Sequence, residues 1–164
     1  MKKIFFSLIL ILASFCAQSQ ESFDSVDCEI MVDCMIRKAV SFLGTPYVWA
    51  ANGPDSFDCS GFVHYVYGTA GIQVKRNSKL LSEEGFAIST PEIQKGDLVF
   101  FVSGTPPERD ITHVGIAISS YDYETRNFQF IHANSSDGCV AISNYNEPRF
   151  IKSYWGARRV VPCL

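Results

Sequence analysis

One cysteine and two histidines carry the reactive chemistry of this 164-residue chain. Cys59 sits inside Phe57-Asp58-Cys59-Ser60-Gly61-Phe62, and His113 and His132 follow in strand-like segments. A thiol attacks a carbonyl as its thiolate, so it needs a base, and the base needs a partner that holds its ring. The sequence supplies all three from separate elements. That combination points to a cysteine hydrolase.

Those elements can be placed from pattern. Met31, Met35, Ala39 and Phe42 recur at helical spacing and predict a helix over 29–43, stopped by Gly44 and Pro46. Residues 20–28 read as a loose polar lead-in. Tyr47-Val48-Trp49 is short and extended, and 51–55 is a turn-rich loop. A second helix starts at Asp58 or Cys59 and runs to about Ala70, with Gly71 as its C-terminal stop. Its apolar arc is Phe62, Val63, Val66, Tyr67 and Ala70. His64 falls outside that arc and reads as a surface histidine. A short helix is expected near 78–84.

From Gly96 onward the pattern is β. Leu98 to Val102 is a continuous apolar run, which suits a strand covered on both faces. Further strands are expected over 113–119, 128–132, 140–143 and 157–161, with a loop at 105–109. Helices first and an antiparallel meander after them define an α+β domain.

The 113–119 and 128–132 strands should form a hairpin. Pairing Ile118 with Asn127 would set His113 directly opposite His132, Gly115 opposite Phe130 and Ala117 opposite Phe128. The first turn of the second helix would lower the pKa of the Cys59 thiol, and a nearby imidazolium would lower it further.

Composition narrows the class. Met1-Lys2-Lys3, an apolar run from Ile4 to Phe15 and the small residues Ala17 and Ser19 read as a signal peptide over 1–19. Cys16 sits where a lipidated cysteine could, but the bulky Phe15 before it argues against a lipoprotein. The apolar run is short for a membrane span. The net charge is −3, and cleavage after Ser19 removes two lysines and no acid, so nucleic acid is a poor partner. Residues 20–32 lead into a single domain over 33–164. Export implies an oxidising compartment, in which an odd set of cysteines (28, 34, 59, 139, 163) leaves one thiol free. Spacing favours Cys28 with Cys34 and Cys139 with Cys163, with three connectivities open. No cysteine or histidine cluster has metal-ligand spacing.

Five blocks in order make the pattern specific: Gly44-Thr45-Pro46-Tyr47-Val48-Trp49, Asp58-Cys59-Ser60-Gly61-Phe62-Val63, Gly96-Asp97-Leu98-Val99-Phe100-Phe101, His113-Val114-Gly115-Ile116 and Ile131-His132-Ala133. The chain resembles the NlpC/P60 family of bacterial cell-wall cysteine peptidases over about residues 33–162. The resemblance implies a papain-like α+β core, with N-terminal helices packed on an antiparallel sheet. It implies Cys59 as nucleophile, His113 as base and His132 as the residue orienting His113. Tyr47 matches a tyrosine lining the site. Asp58 and Ser60 match positions that meet the substrate's amino terminus, and Ser78 matches a pocket serine.

The implied reaction is hydrolysis of the γ-D-glutamyl–diamino acid bond of peptidoglycan stems by an exported monomer, without cofactor or metal. The alternatives are an amidase cutting the muramoyl–L-alanine bond and a catalytically silent wall-binding module. Trp49-Ala50-Ala51 stands where the family has Trp-Gly-Gly, which implies a reshaped turn beside the site. The remaining marked residues read as structural: Asp58 also as a helix cap, Asp97 in a turn, Trp49 and Trp155 in packing, and Arg158 and Arg159 on a solvated strand edge.

Overall fold

The structure, a computed structural model, describes residues 26–104 and 109–161. The expected signal peptide, Cys16, Cys163 and most of the 105–109 loop lie outside those residues. Helix α1 is already formed at residue 26 and runs to 40, so it takes in part of the expected lead-in. Cys28, Val32, Met35 and Ala39 form its buried stripe, three and four residues apart. Met31 and Phe42 pack at the margin of that stripe.

Helix α2 spans Cys59–Thr69 and α3 spans Ser78–Leu81. Asp58 caps α2, its carboxylate accepting the Gly61 N–H at 2.7 Å. Gly71 at φ +78° ends it, as expected. His64 is half-buried, its Nδ1 2.8 Å from the Val74 carbonyl, and so holds the chain that leaves α2.

The strands are β1 (Phe86–Ile88), β2 (Leu98–Ser103), β3 (Asp110–Ala117), β4 (Gln129–Asn134), β5 (Cys139–Asn144) and β6 (Tyr154–Arg159). They form one antiparallel sheet in the order β1-β6-β2-β3-β4-β5. The short β1 and helix α4 (Pro148–Ser153) carry too little periodicity to read from sequence.

Alternation on β2 explains its unbroken apolar run. Leu98 and Phe100 join the core beneath α1 and α2, while Val99 and Phe101 join a second core with Phe128, Phe130 and Phe150. The fold is thus α+β, with a sheet buried on both faces.

Two polar expectations change. Asp97 is fully buried and holds the Arg159 guanidinium through both oxygens, at 2.8 and 2.9 Å, so Arg159 is no solvated edge residue. Cys34 and Cys139 are free thiols, whereas Cys28 is disulfide-bonded. Neither local pairing is therefore present.

Candidate active site

Cys59 opens α2 because Asp58 caps the helix and Gly61 lets neighbouring groups close in. A Cβ at Gly61 would lie 2.2 Å from the Ala51 carbonyl oxygen and 2.7 Å from Nη2 of Arg76. Arg76 fills that space. It donates to Asp58 Oδ2 at 2.9 Å, to Ser60 Oγ at 2.7 Å, to the Ala51 carbonyl at 2.9 Å and to Asn52. Asp58, Cys59, Ser60, Arg76, Ser78 and Trp49 all border one cleft of about 340 Å³. Ser78 is buried at the start of α3 and donates to the Ile111 carbonyl at 3.3 Å. Arg76 carried no signal in sequence beyond its place next to Asn77-Ser78.

Trp49 is 82% exposed at the cleft rim, so it is not a packing residue. Trp155 is partly so, meeting Phe100 edge-on while nearly half exposed. The turn beside Trp49 keeps a glycine-type backbone without a glycine: Ala50 has φ +63°. Ala50 occupies a left-handed conformation at an energetic cost.

The thiol docks against the backbone of β3. Cys59 is a free thiol, and its Sγ lies 3.8 Å from the Thr112 carbonyl. The β2–β3 register slips between Phe101 and Val102, which leaves Thr112 as a bulge immediately before His113. The bulge turns the Thr112 carbonyl and the Val114 N–H, on either side of His113, toward the sulfur.

Burial and Asp58 push the thiol pKa up, against opposing N–H groups of Val114, Ser60 and Cys59 itself. The expected lowering by the helix terminus is therefore present but outweighed, and the resting sulfur carries its proton. Tyr47 is half-buried, and its hydroxyl is likewise pushed up, by burial first and then by Cys59 and Asp58. It stays a donor beside the sulfur.

His113 and His132 meet, but not by direct opposition. The ladder pairs Ile116 with Ile131 and Ala117 with Phe130, two residues away from the expected register. The reason is a wide turn: Asp122 and Asn127 bridge, so 119–121 face only Phe128 across the hairpin. A slip of two keeps every side chain on its face. It makes the histidines diagonal neighbours, with His132 alongside Gly115. A Cβ at Gly115 would come within 3.3 Å of the His132 Cβ and 2.8 Å of the Phe130 ring. The missing side chain therefore leaves room for the rings to meet, His113 Nε2 to His132 Nδ1 at 2.6 Å.

His132 is fully buried and its Nε2 lies 3.1 Å from Ser143 Oγ. Desolvation pushes His113 down to about 4. It pushes His132 down as well, with His113 and Arg149 adding to the effect. Both rings are thus neutral near pH 7. Nδ1 of His113 is the ring nitrogen that His132 does not engage. Among the described residues, no group of three or more His, Cys, Asp or Glu could hold a metal ion.

The Cys59 thiol at a helix head docks on the strand that carries His113, within an α+β frame. Residues 44–159 match the NlpC/P60 family, and the chain belongs to it. The chain is 36% identical over 130 residues to a γ-D-glutamyl-L-lysine dipeptidyl-peptidase of Bacillus cereus, covering 79% of this chain and 37% of that protein. It is 41% identical over 126 residues to a probable endopeptidase p60 of Listeria innocua, covering 77% of this chain and 24% of that one. The crystal structure of an NlpC/P60 family protein from Bacillus cereus superposes with a TM-score of 0.71 at 36% identity, over 80% of this chain and 40% of that one. The NlpC/P60 domain of the peptidoglycan hydrolase SagA superposes at 0.62 with 29% identity, covering 78% of this chain and 97% of that domain. The chain thus spans well under half of the two curated relatives.

Proposed function

We propose that this chain is an exported cysteine endopeptidase that hydrolyses peptidoglycan stem peptides at the γ-D-glutamyl–diamino acid bond. The observation that carries the reading is the His113–His132 pair, with His113 on β3, the strand on which the Cys59 thiol docks. The names of a γ-D-glutamyl-L-lysine dipeptidyl-peptidase and a peptidoglycan hydrolase among the similar proteins support the substrate class.

The resting state is thiol and neutral imidazole. On substrate binding the Cys59 proton passes to His113 Nδ1 as sulfur bonds to the D-glutamyl carbonyl carbon. The Cys59 N–H and the Tyr47 hydroxyl are the donors for the oxyanion. Collapse breaks the C–N bond, and His113 gives its proton to the departing amine. Water then attacks the thioester with His113 as base. Asp58 and Ser60 meet the substrate's amino terminus, Ser78 lines its pocket, and Tyr47 borders the sulfur. The protein acts as a monomer without cofactor or metal. Among the described residues no helix is long and apolar enough to cross a membrane.

Digestion of purified sacculi followed by mass spectrometry tests this. The endopeptidase leaves disaccharide carrying L-Ala-D-Glu, and Cys59→Ala should abolish its release. A bare disaccharide would instead assign the muramoyl–L-alanine amidase. No product from the wild type would leave a silent wall-binding module. Burial raises the Cys59 pKa, so turnover rather than the rate of thiol labelling decides.

A further inference from the structure

Beyond the three residues of the proposed machinery, one buried hydroxyl touches the imidazole pair. Ser143 lies on β5, where the ladder pairs it with Phe130 and pairs Ala141 with His132. It is therefore diagonal to His132 on the same face, and its Oγ is 3.1 Å from His132 Nε2. The surrounding layer is apolar and aromatic: Phe128, Phe130 and Phe150. A buried hydroxyl in such a layer is costly unless bonded. Among the described residues His132 is its only hydrogen-bond partner.

We propose that Ser143 is a positioning residue that sets the tautomer of His132, and through it the basicity of the right nitrogen of His113. This rests on the reading of Cys59 and His113 as nucleophile and base. The argument is a count of protons. A 2.6 Å contact between two ring nitrogens holds a single hydrogen. When His113 accepts the thiol proton at Nδ1, its Nε2 carries a hydrogen too, so His132 Nδ1 must be bare. Neutral His132 then carries its hydrogen on Nε2, which needs an acceptor, and Ser143 Oγ is the atom there. The hydroxyl's own hydrogen rotates aside.

The opposite arrangement disables the base. If Ser143 donated to Nε2, His132 would carry its hydrogen on Nδ1 and donate to His113 Nε2. Neutral His113 would then hold its hydrogen on Nδ1 and could not accept another there. In the proposed chain the thiol proton alone moves. It leaves sulfur for His113 Nδ1, and the hydrogens on His113 Nε2 and His132 Nε2 stay where they are. The charged group facing the pair is Arg149, which lies over the Phe150 ring and is partnered by Glu147 and Asp137.

Nitrogen-15 spectroscopy of histidine-labelled protein near pH 7, where an imidazole with a depressed pKa is neutral, reads the tautomers directly. The expected result is a hydrogen on Nε2 of both His113 and His132; a hydrogen on His132 Nδ1 in the wild type overturns the proposal. In Ser143→Ala the His132 signal should shift toward the Nδ1–H form. With it, kcat on a stem peptide should fall roughly ten- to hundred-fold with KM within about twofold, the scale seen when such outer partners are removed. An unchanged tautomer or an unchanged kcat in that variant also overturns it. The wild-type spectrum needs neither the variant to fold nor the substrate to be cut. A Cys59→Ala enzyme that still cleaves would sink the functional reading and leave the tautomer result standing.

Discussion

Two aspartate–arginine pairs sit at opposite ends of the same frame, and they are built for different ends. Asp97 and Arg159 lock the turn before β2 to the strand β6, sixty-two residues away, with the carboxylate wholly buried and both its oxygens engaged. Asp58 and Arg76 border the cleft, with the guanidinium about one-third exposed and spread over four acceptors. The first pair ties two framework segments together, with its carboxylate out of reach of solvent. The second builds a wall, and one of its oxygens caps the helix that presents the sulfur. The same two side-chain types become framework or site according to whether solvent and a ligand can reach them.

The comparison breaks most easily at Asp97. Asp97→Ala strands a nearly buried guanidinium and should cost about 3–5 kcal/mol in chemical denaturation, while molecules that remain folded keep their kcat. A variant as stable as the wild type would remove the distinction. Asp58→Ala should cost less, about 1 kcal/mol from the lost cap, yet lower kcat/KM where Asp97→Ala does not. Kinetics and melts on the same two preparations read that crossing; parallel losses in both would mean that both pairs are framework.

Acid sharpens the contrast between these ion pairs and the imidazoles. Unfolded His113 takes a proton near 6.5, whereas folded it does so only near about 4. Between those values the unfolded state binds more protons, so stability is intact above 6.5 and falls as pH drops toward 4. Denaturation midpoints across that window should flatten in His113→Gln; an unaltered slope would refute the assignment. Activity should persist below pH 6.5, since the base stays neutral there. The smallest effect is at the rim. Ala50→Gly removes the left-handed penalty and should raise stability by about 1 kcal/mol in a urea titration, with no change in either pair.

Much of the site was legible in the chain. Asp58 preceding Cys59 marks a helix start, the glycines bound it, and the histidines fall in strands whose faces are set by alternation. The α+β frame followed from helices preceding an antiparallel run. The direct opposition of His113 and His132 did not survive, because the spread of 119–121 against Phe128 is a turn geometry that apolar patterning does not encode. Local disulfide pairing failed for a similar reason: proximity along the chain is not proximity in space. Trp49 looked like core because it is large and apolar, but its exposure depends on how the Ala50 turn leaves the cleft.

What the amino-acid order determines by itself is local: where helices begin, which face of a strand is apolar, which side chains can hold or pass a proton. Contacts between distant segments belong to the tertiary structure. The Thr112 bulge, the Arg76 wall, the Asp97–Arg159 lock and the line from His113 through His132 to Ser143 each join elements whose register is set by turns and packing. So does the raised pKa of the sulfur. The N–H groups at the helix terminus lower it, and burial against β3, with Asp58 alongside, outweighs them.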